Sequence, residues 1–231
     1  MMNKLQEKLN FLLDKYSVDA KATIISRDVA VINANETPLL SYRCERRFIE
    51  LKNIVQGGTL AGVSVMRVSR IVEKGMDLFE ILKREFDICQ FILGKQIISV
   101  MAMCNDNTLN VIAKTENDII CTIEIASTLK EGVAPIDKHE IIAQRGTACD
   151  VVVDAQLRQN SVYVFGEEKK EYTDVDFELY GLCVEDIAVV RAAFDIAQNN
   201  RTKEYAEIDS QLDKLITLAK KSANSCEREV M

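Results

Sequence analysis

Apolar residues recur at three- and four-residue spacing in five stretches of the chain and at alternate positions in most of what lies between. Leu5, Leu9, Leu12 and Tyr16 form one stripe, and Leu82, Phe86, Cys89 and Leu93 a second. Ile187, Val190, Phe194 and Ala197 form a third, and Tyr205, Ile208, Leu212, Leu215 and Ala219 a fourth. Such spacing places each set on one helical face. A further helix is predicted over 46–55, stopped by Gly57-Gly58. Extended runs are predicted at 22–25, 29–32 and 39–42, split by Asn33, Asn35 and Pro38.

The middle of the chain is rich in β-branched residues over 62–72, 96–103, 108–114, 119–127, 138–145, 150–157 and 161–165. Within it Cys121, Ile123 and Ile125 alternate with Thr122 and Glu124, as a strand with one buried face requires. Turns are expected at 105–107, 116–118 and 166–168. Connections this short imply an α+β fold: an open, largely antiparallel sheet, helices on one face, and a C-terminal helical hairpin. The expected blocks are 1–40, a short helix with small strands; 41–181, the sheet domain; and 182–231, the hairpin packed on it.

Composition narrows the class. Of 231 residues 48% are apolar, and no apolar run approaches the roughly 20 residues of a membrane-spanning helix. The net charge of −7 and pI near 5.0 disfavour a general nucleic-acid binder, because the basic residues are scattered among acids. The first seventeen residues are charged and helical in pattern, without the apolar core of a secretory signal, so a cytoplasmic protein is expected. Seven widely spaced cysteines and one histidine, His139, give no short-spaced ligand pairs for structural zinc, and no metal site is expected. Cys89 and Cys121 lie on apolar faces, where cysteine packs as a small hydrophobe.

Residues 80–94, EILKREFDICQFILG, hold the candidate chemistry. Glu80, Arg84 and Asp87 fall opposite the apolar stripe, with Lys83 beside them, either as an ordinary solvated face or as a ligand-binding cluster. Arg84 stays protonated near neutral pH and is no general base, although it can pair with Glu80 one turn away. His139 opens a strand, where a lone histidine is more readily a structural donor than a catalyst. The run 161–181, with Tyr163, Tyr172, Tyr180, Asp174 and Asp176, reads either as a carbohydrate groove or as an edge strand that buries Phe165 and Phe177.

The segment RCERRFIELKNIVQGGTLAGVSVMRVSRIV resembles the start of the second domain of the Gfo/Idh/MocA oxidoreductases: Arg46-Arg47-Phe48 leading to a helix, a glycine-bearing turn, then a long strand. That family's active-site helix has a D-x-G-x-H-x-x-D pattern followed by L-x-G. Glu80, Leu82, Arg84 and Asp87 fall on those positions, and Leu93-Gly94 on the end. NTLNVIAKTENDIICTIEIAS and Gln144-Arg145-Gly146-Thr147 are similar to later strand pairs of the family. The likeness runs over residues 40–181. Its implied site residues are Glu80, Lys83, Arg84 and Asp87, with Arg47 from the Arg-Arg-Phe segment.

The departures shape the functional expectation. None of the nine glycines has G-x-G spacing, and the family's Glu-Lys-Pro motif is missing, so the dinucleotide-binding half has no counterpart. Arg84 stands where the resemblance places a catalytic histidine. The expectation is a chain with no cofactor and no catalytic residue of its own. It would act as an oligomerising or small-ligand-binding relative of the substrate domain, self-associating as a dimer or tetramer through its sheet face. The alternatives are one half of a split NAD(P)-dependent oxidoreductase, completed by a separate nucleotide-binding subunit, and a sugar-binding regulatory or scaffolding protein.

Overall fold

The computed structural model describes residues 2–150, the backbone of 161–165 and 169–173, and residues 176–231. The strand expected at 150–157, the turn at 166–168, Asp174, and the side chains of Tyr163, Phe165 and Tyr172 lie outside that description. In chain order the elements begin with α1 (Met2–Lys15), β1 (Ala22–Ile24), β2 (Val29–Ile32), β3 (Asn35–Pro38) and α2 (Arg46–Gln56). There follow β4 (Val63–Glu73), α3 (Leu78–Leu93), β5 (Ile97–Cys104), β6 (Thr108–Thr115), β7 (Ile120–Leu129), β8 (Ile136–Ala143) and β9 (Gly146–Cys149). The last are β10 (Ser161–Phe165), β11 (Lys169–Thr173), α4 (Val184–Gln198), α5 (Thr202–Ser225) and β12 (Glu229–Val230). They form two compact units, Met1–Ile49 with Asp154–Asp209, and Glu50–Val153 with Ser210–Met231.

In the first unit α1 buries Leu5, Leu9, Leu12 and Leu13, the periodic positions of its sequence, against a core that includes Ile24, Ile32, Leu39, Val190, Phe194 and Ile196. Tyr16 falls just past the helix and stays half exposed. Strands β1, β2 and β3 pair antiparallel in that order. Pro38 is tolerated because β3 is an edge strand with no outer partner for a missing N–H. Residues 39–42, expected as a strand, instead run into a 3-10 turn at Ser41–Cys44, since Leu40 takes a left-handed conformation with φ 42° and turns the chain. Helix α4 is apolar on nearly every side and is buried accordingly. An ion-pair web closes this unit. Arg191 grips Asp176 in a bidentate pair and reaches Glu178, which also accepts from Lys15 and Tyr16.

The second unit is a seven-stranded sheet in the order β12-β5-β6-β7-β4-β8-β9. Every neighbouring pair is antiparallel except β4 with β7, so the sheet is largely antiparallel, as expected, with one parallel pair. Cys121, Ile123 and Ile125 of β7 are buried while Thr122 and Glu124 point away. The run expected to end at 145 turns at Gln144-Arg145, and Gly146–Cys149 returns as a short edge strand.

Helix α3 lies against β7, and its ends are set by its sequence. Asp77 caps the start, its Oδ1 accepting the N–H groups of Phe79 (2.8 Å) and Glu80 (3.4 Å). Gly94 ends it with φ 63°, the left-handed stop that a glycine adopts without strain. The side-chain amide of Gln56 donates to the last carbonyls, those of Phe91 and Ile92. At the outer edge of β5, Ser222 of α5 accepts the Ala102 N–H at 2.9 Å, and β12 pairs with Ser99 and Val100. No helix among the described residues is long and apolar enough to cross a membrane.

Candidate functional site

Strand alternation brings an unusual set of charges to the face of the sheet covered by α3. In β4, Met66, Val68 and Val72 are buried, and Arg70 shares their face. In β8, Asp137, His139 and Ile141 share one face, and the register sets Arg70 opposite Asp137 and Val68 opposite His139. Helix α3 adds Arg84 and Glu85, and Asp150, just past β9, closes the group.

His139 is fully buried with a carboxylate at each ring nitrogen. Nε2 lies 2.9 Å from Glu85 Oε2, and Nδ1 lies 2.8 Å from Asp150 Oδ2. Asp150 Oδ1 also accepts the His139 main-chain N–H at 2.7 Å. Arg84 donates to Glu85 Oε1 at 2.5 Å and to Asp137 Oδ2 at 3.2 Å, while Arg70 pairs with Asp137 as well. The Glu85, His139 and Asp150 side chains are inaccessible to solvent, whereas Asp137, Arg70 and Arg84 keep 13–19% of their surface.

Burial alone would push the His139 imidazole toward neutrality. The hydrogen bonds and charges of Asp150 and Glu85 outweigh it and raise the pKa to about 9. Burial would likewise raise Glu85, but Arg84 and His139 hold its carboxyl below the usual range. Nearby, the Cys89 thiol is pushed up by its hydrogen bond to Cys121 and by burial, so it stays a protonated packing group.

Glu85, Asp137 and His139 bring three ligand-type atoms within 4.8 Å of one another, a spacing that suits a metal ion. The surroundings do not fit one. Three carboxylates, Glu85, Asp137 and Asp150, already face three cations, Arg70, Arg84 and the His139 imidazolium. A divalent ion would have to displace Arg84 from both of its carboxylates and deprotonate His139. Among the described residues the group is a charge-balanced ion-pair cluster.

The residues singled out from sequence are dispersed around it. Arg84 enters the cluster and does not turn to Glu80, which stays exposed in the first turn of α3. Lys83 points to α5 and pairs with Asp213 at 2.6 Å. Asp87 is fully buried and not on the wet face, so it presents nothing to a soluble sugar. Arg47 belongs to the first unit, where it donates to Glu45 at 2.8 Å and covers the Phe48 ring. In the run after 175, Asp176 is engaged by Arg191, and Phe177 and Tyr180 are 91% and 73% exposed, so the expected burial of Phe177 does not occur.

Sequence reasoning missed Glu85, Asp137, Asp150 and Arg70, and treated His139 alone. A signal was present. Glu85 stands three residues after Leu82 and four before Cys89 of the apolar stripe, and a carboxylate placed there requires a buried partner.

The first unit has a half-open cavity of about 520 Å³ between α4 and the start of α2, with Ile49, Ile187 and Phe194 among its apolar walls. The charged groups at its rim are already engaged: Asp176 with Arg191, Glu45 with Arg47, and Asp195 with Arg201.

The chain shares its fold with part of several solved inositol dehydrogenase structures, in agreement with its resemblance to the Gfo/Idh/MocA second domain. It is similar to scyllo-inositol dehydrogenase of Lactobacillus casei, a structure with bound NAD(H) and scyllo-inositol, at 16% identity and a TM-score of 0.59, over 83% of this chain and 63% of that one. Myo-inositol dehydrogenase of Corynebacterium glutamicum matches at 12% identity and a TM-score of 0.61, again over 83% and 63%. GenD2 from gentamicin A biosynthesis, in complex with NAD, matches at 12% and 0.61, over 83% and 62%. At these identities the likeness is one of fold, and the chain spans less than two thirds of the length of these structures. No protein-family model and no curated sequence matches it.

Proposed function

We propose that this chain is a non-catalytic relative of the Gfo/Idh/MocA substrate domain that self-associates through the face of its sheet opposite α3. The observation that carries the proposal is an exposed apolar patch on that face. Met101 and Ile112 are paired neighbours on it, and Met103 lies two residues along. These three side chains are 37–54% exposed, and Ile136, 49% exposed, lies on the same face three strands away, beyond Thr122 and Arg67. A two-fold pairing of such faces covers the same patch on both copies. The proposed lack of catalysis draws on Arg84, which is held in ion pairs with Glu85 and Asp137 and, already protonated, cannot act as a base.

Native mass spectrometry and sedimentation of the chain purified gently from its own host test this reading. A homodimer or homotetramer is the expected result. A strict monomer at tens of micromolar, or turnover of NAD(P)H with a sugar by the chain alone, would overturn it. A second reading, half of a split oxidoreductase, draws on the chain's covering only 63% of an NAD(H)-bound neighbour. It predicts a stoichiometric nucleotide-binding subunit in the same preparation, and a cytoplasmic, cofactor-free chain in its absence.

A further inference from the structure

The buried histidine asks for an explanation that self-association does not supply. A neutral imidazole carries one N–H and leaves a lone pair on its other nitrogen. His139 has a carboxylate oxygen within 2.9 Å of each nitrogen, and carboxylates only accept. With both carboxylates ionised, only the imidazolium satisfies both contacts.

Asp150 holds more than the ring. It accepts from the His139 main-chain N–H, and its own N–H donates to the His139 carbonyl at 3.1 Å. The chain leaving β9 is thereby fastened to β8 at one residue, and the same residue is fastened through Nε2 to α3.

We propose that Glu85–His139–Asp150 is a proton-held latch, in which one buried imidazolium ties Asp150, the residue after β9, to both β8 and α3, so that losing the proton loosens both ties together. Among the described residues, the charges around His139 are Glu85 and Arg84 from α3, Asp137 from β8 itself, Arg70 from β4 and Asp150 after β9. Among these, a neutral ring leaves three carboxylates against two guanidinium groups around a buried imidazole, which disfavours that state and loosens the site when it forms.

The chain contains a single histidine, so its imidazole signals in nitrogen-15 NMR are unambiguous. The expected result is protonation of both ring nitrogens at pH 7.5, with deprotonation at least tenfold harder than for a free imidazole. Amide exchange at His139 and Asp150, and along the α3 turn holding Glu85, should accelerate together as the ring loses its proton. Asp150→Asn and Glu85→Gln should each move the titration midpoint down by a unit or more. A neutral, singly protonated ring at pH 7.5 would overturn the latch, as would a stoichiometric metal ion released by chelator from the wild-type chain. Titration unmoved by either variant would overturn it too. If a variant fails to fold, the wild-type spectrum and its exchange profile still decide.

Discussion

Replacing Gly94 by alanine tests the physical account of the end of α3. Two costs combine. A side chain at φ 63° costs about 1–2 kcal/mol relative to glycine. The added Cβ would also lie 2.9 Å from Gln56 Nε2, the nitrogen that donates to the Phe91 and Ile92 carbonyls at 3.0 and 3.2 Å. Pushing that amide aside removes two hydrogen bonds worth about 0.5–1.5 kcal/mol each, so Gly94→Ala should destabilise by about 2–5 kcal/mol. Gln56→Ala removes the same bonds without backbone strain and should cost about 1–3 kcal/mol. In the double variant no amide remains to be displaced, so its cost should match that of Gly94→Ala alone. The cycle then gives a coupling of about 1–3 kcal/mol. Urea unfolding followed by far-ultraviolet circular dichroism measures all four proteins. Additive single effects, or a neutral Gly94→Ala, would refute the claim that the glycine is needed to make room for the Gln56 cap.

Other outcomes follow from the same geometry. Because the His139 pKa is raised from 6.5 to about 9 in the folded chain, its stabilisation is complete below pH 6.5 and is lost as pH rises through about 9. A shift of that size corresponds to about 3 kcal/mol, so urea midpoints should fall between pH 6.5 and pH 10, and fall less in Asp150→Asn. Asp77→Ala should cost about 1 kcal/mol through loss of the α3 cap, measured by thermal melting against wild type. Ile112→Lys on the open sheet face should weaken self-association at least 100-fold in sedimentation while leaving the melting of the dissociated chain nearly unchanged. Thiol titration should find Cys104, Cys149, Cys183 and Cys226 reactive in the native chain, and Cys44, Cys89 and Cys121 only after unfolding.

The helices were legible because their apolar residues repeat at helical spacing, and two of their ends carry Gly57 and Gly94, whereas the Asp77 cap of α3 was not read from the sequence. Strands β4 to β8 were legible from alternation and from the turns at 105–107 and 116–118, where Asn105 accepts the N–H groups of Asn107 and Thr108 and Asp118 adopts φ 64°. What stayed hidden depends on pairing between distant segments. Nothing local distinguishes the parallel β4–β7 pair from an antiparallel one, and nothing local reveals that Leu40 turns left-handed. At the candidate site, Asp87 was placed outward from spacing alone, though the helix is buried on more than one side. Asp137 and Asp150 each look like ordinary surface acids until β8 and the end of β9 bring them, with Glu85 of α3, to one histidine.

The way the first unit is assembled has a consequence for biosynthesis. Helix α1 finds its buried surroundings with α4, whose first residue, Val184, comes about 170 residues after Lys15. At roughly 5–20 residues per second, a ribosome needs on the order of 10–30 seconds to deliver that partner. Throughout that interval Leu5, Leu9, Leu12 and Leu13 have no α4 to cover them, while strands β4 to β8 emerge in sequence and find their neighbours close at hand. Strands β4 to β8 are therefore set to pair first, and the α1 leucines are the segment that a nascent-chain chaperone would hold.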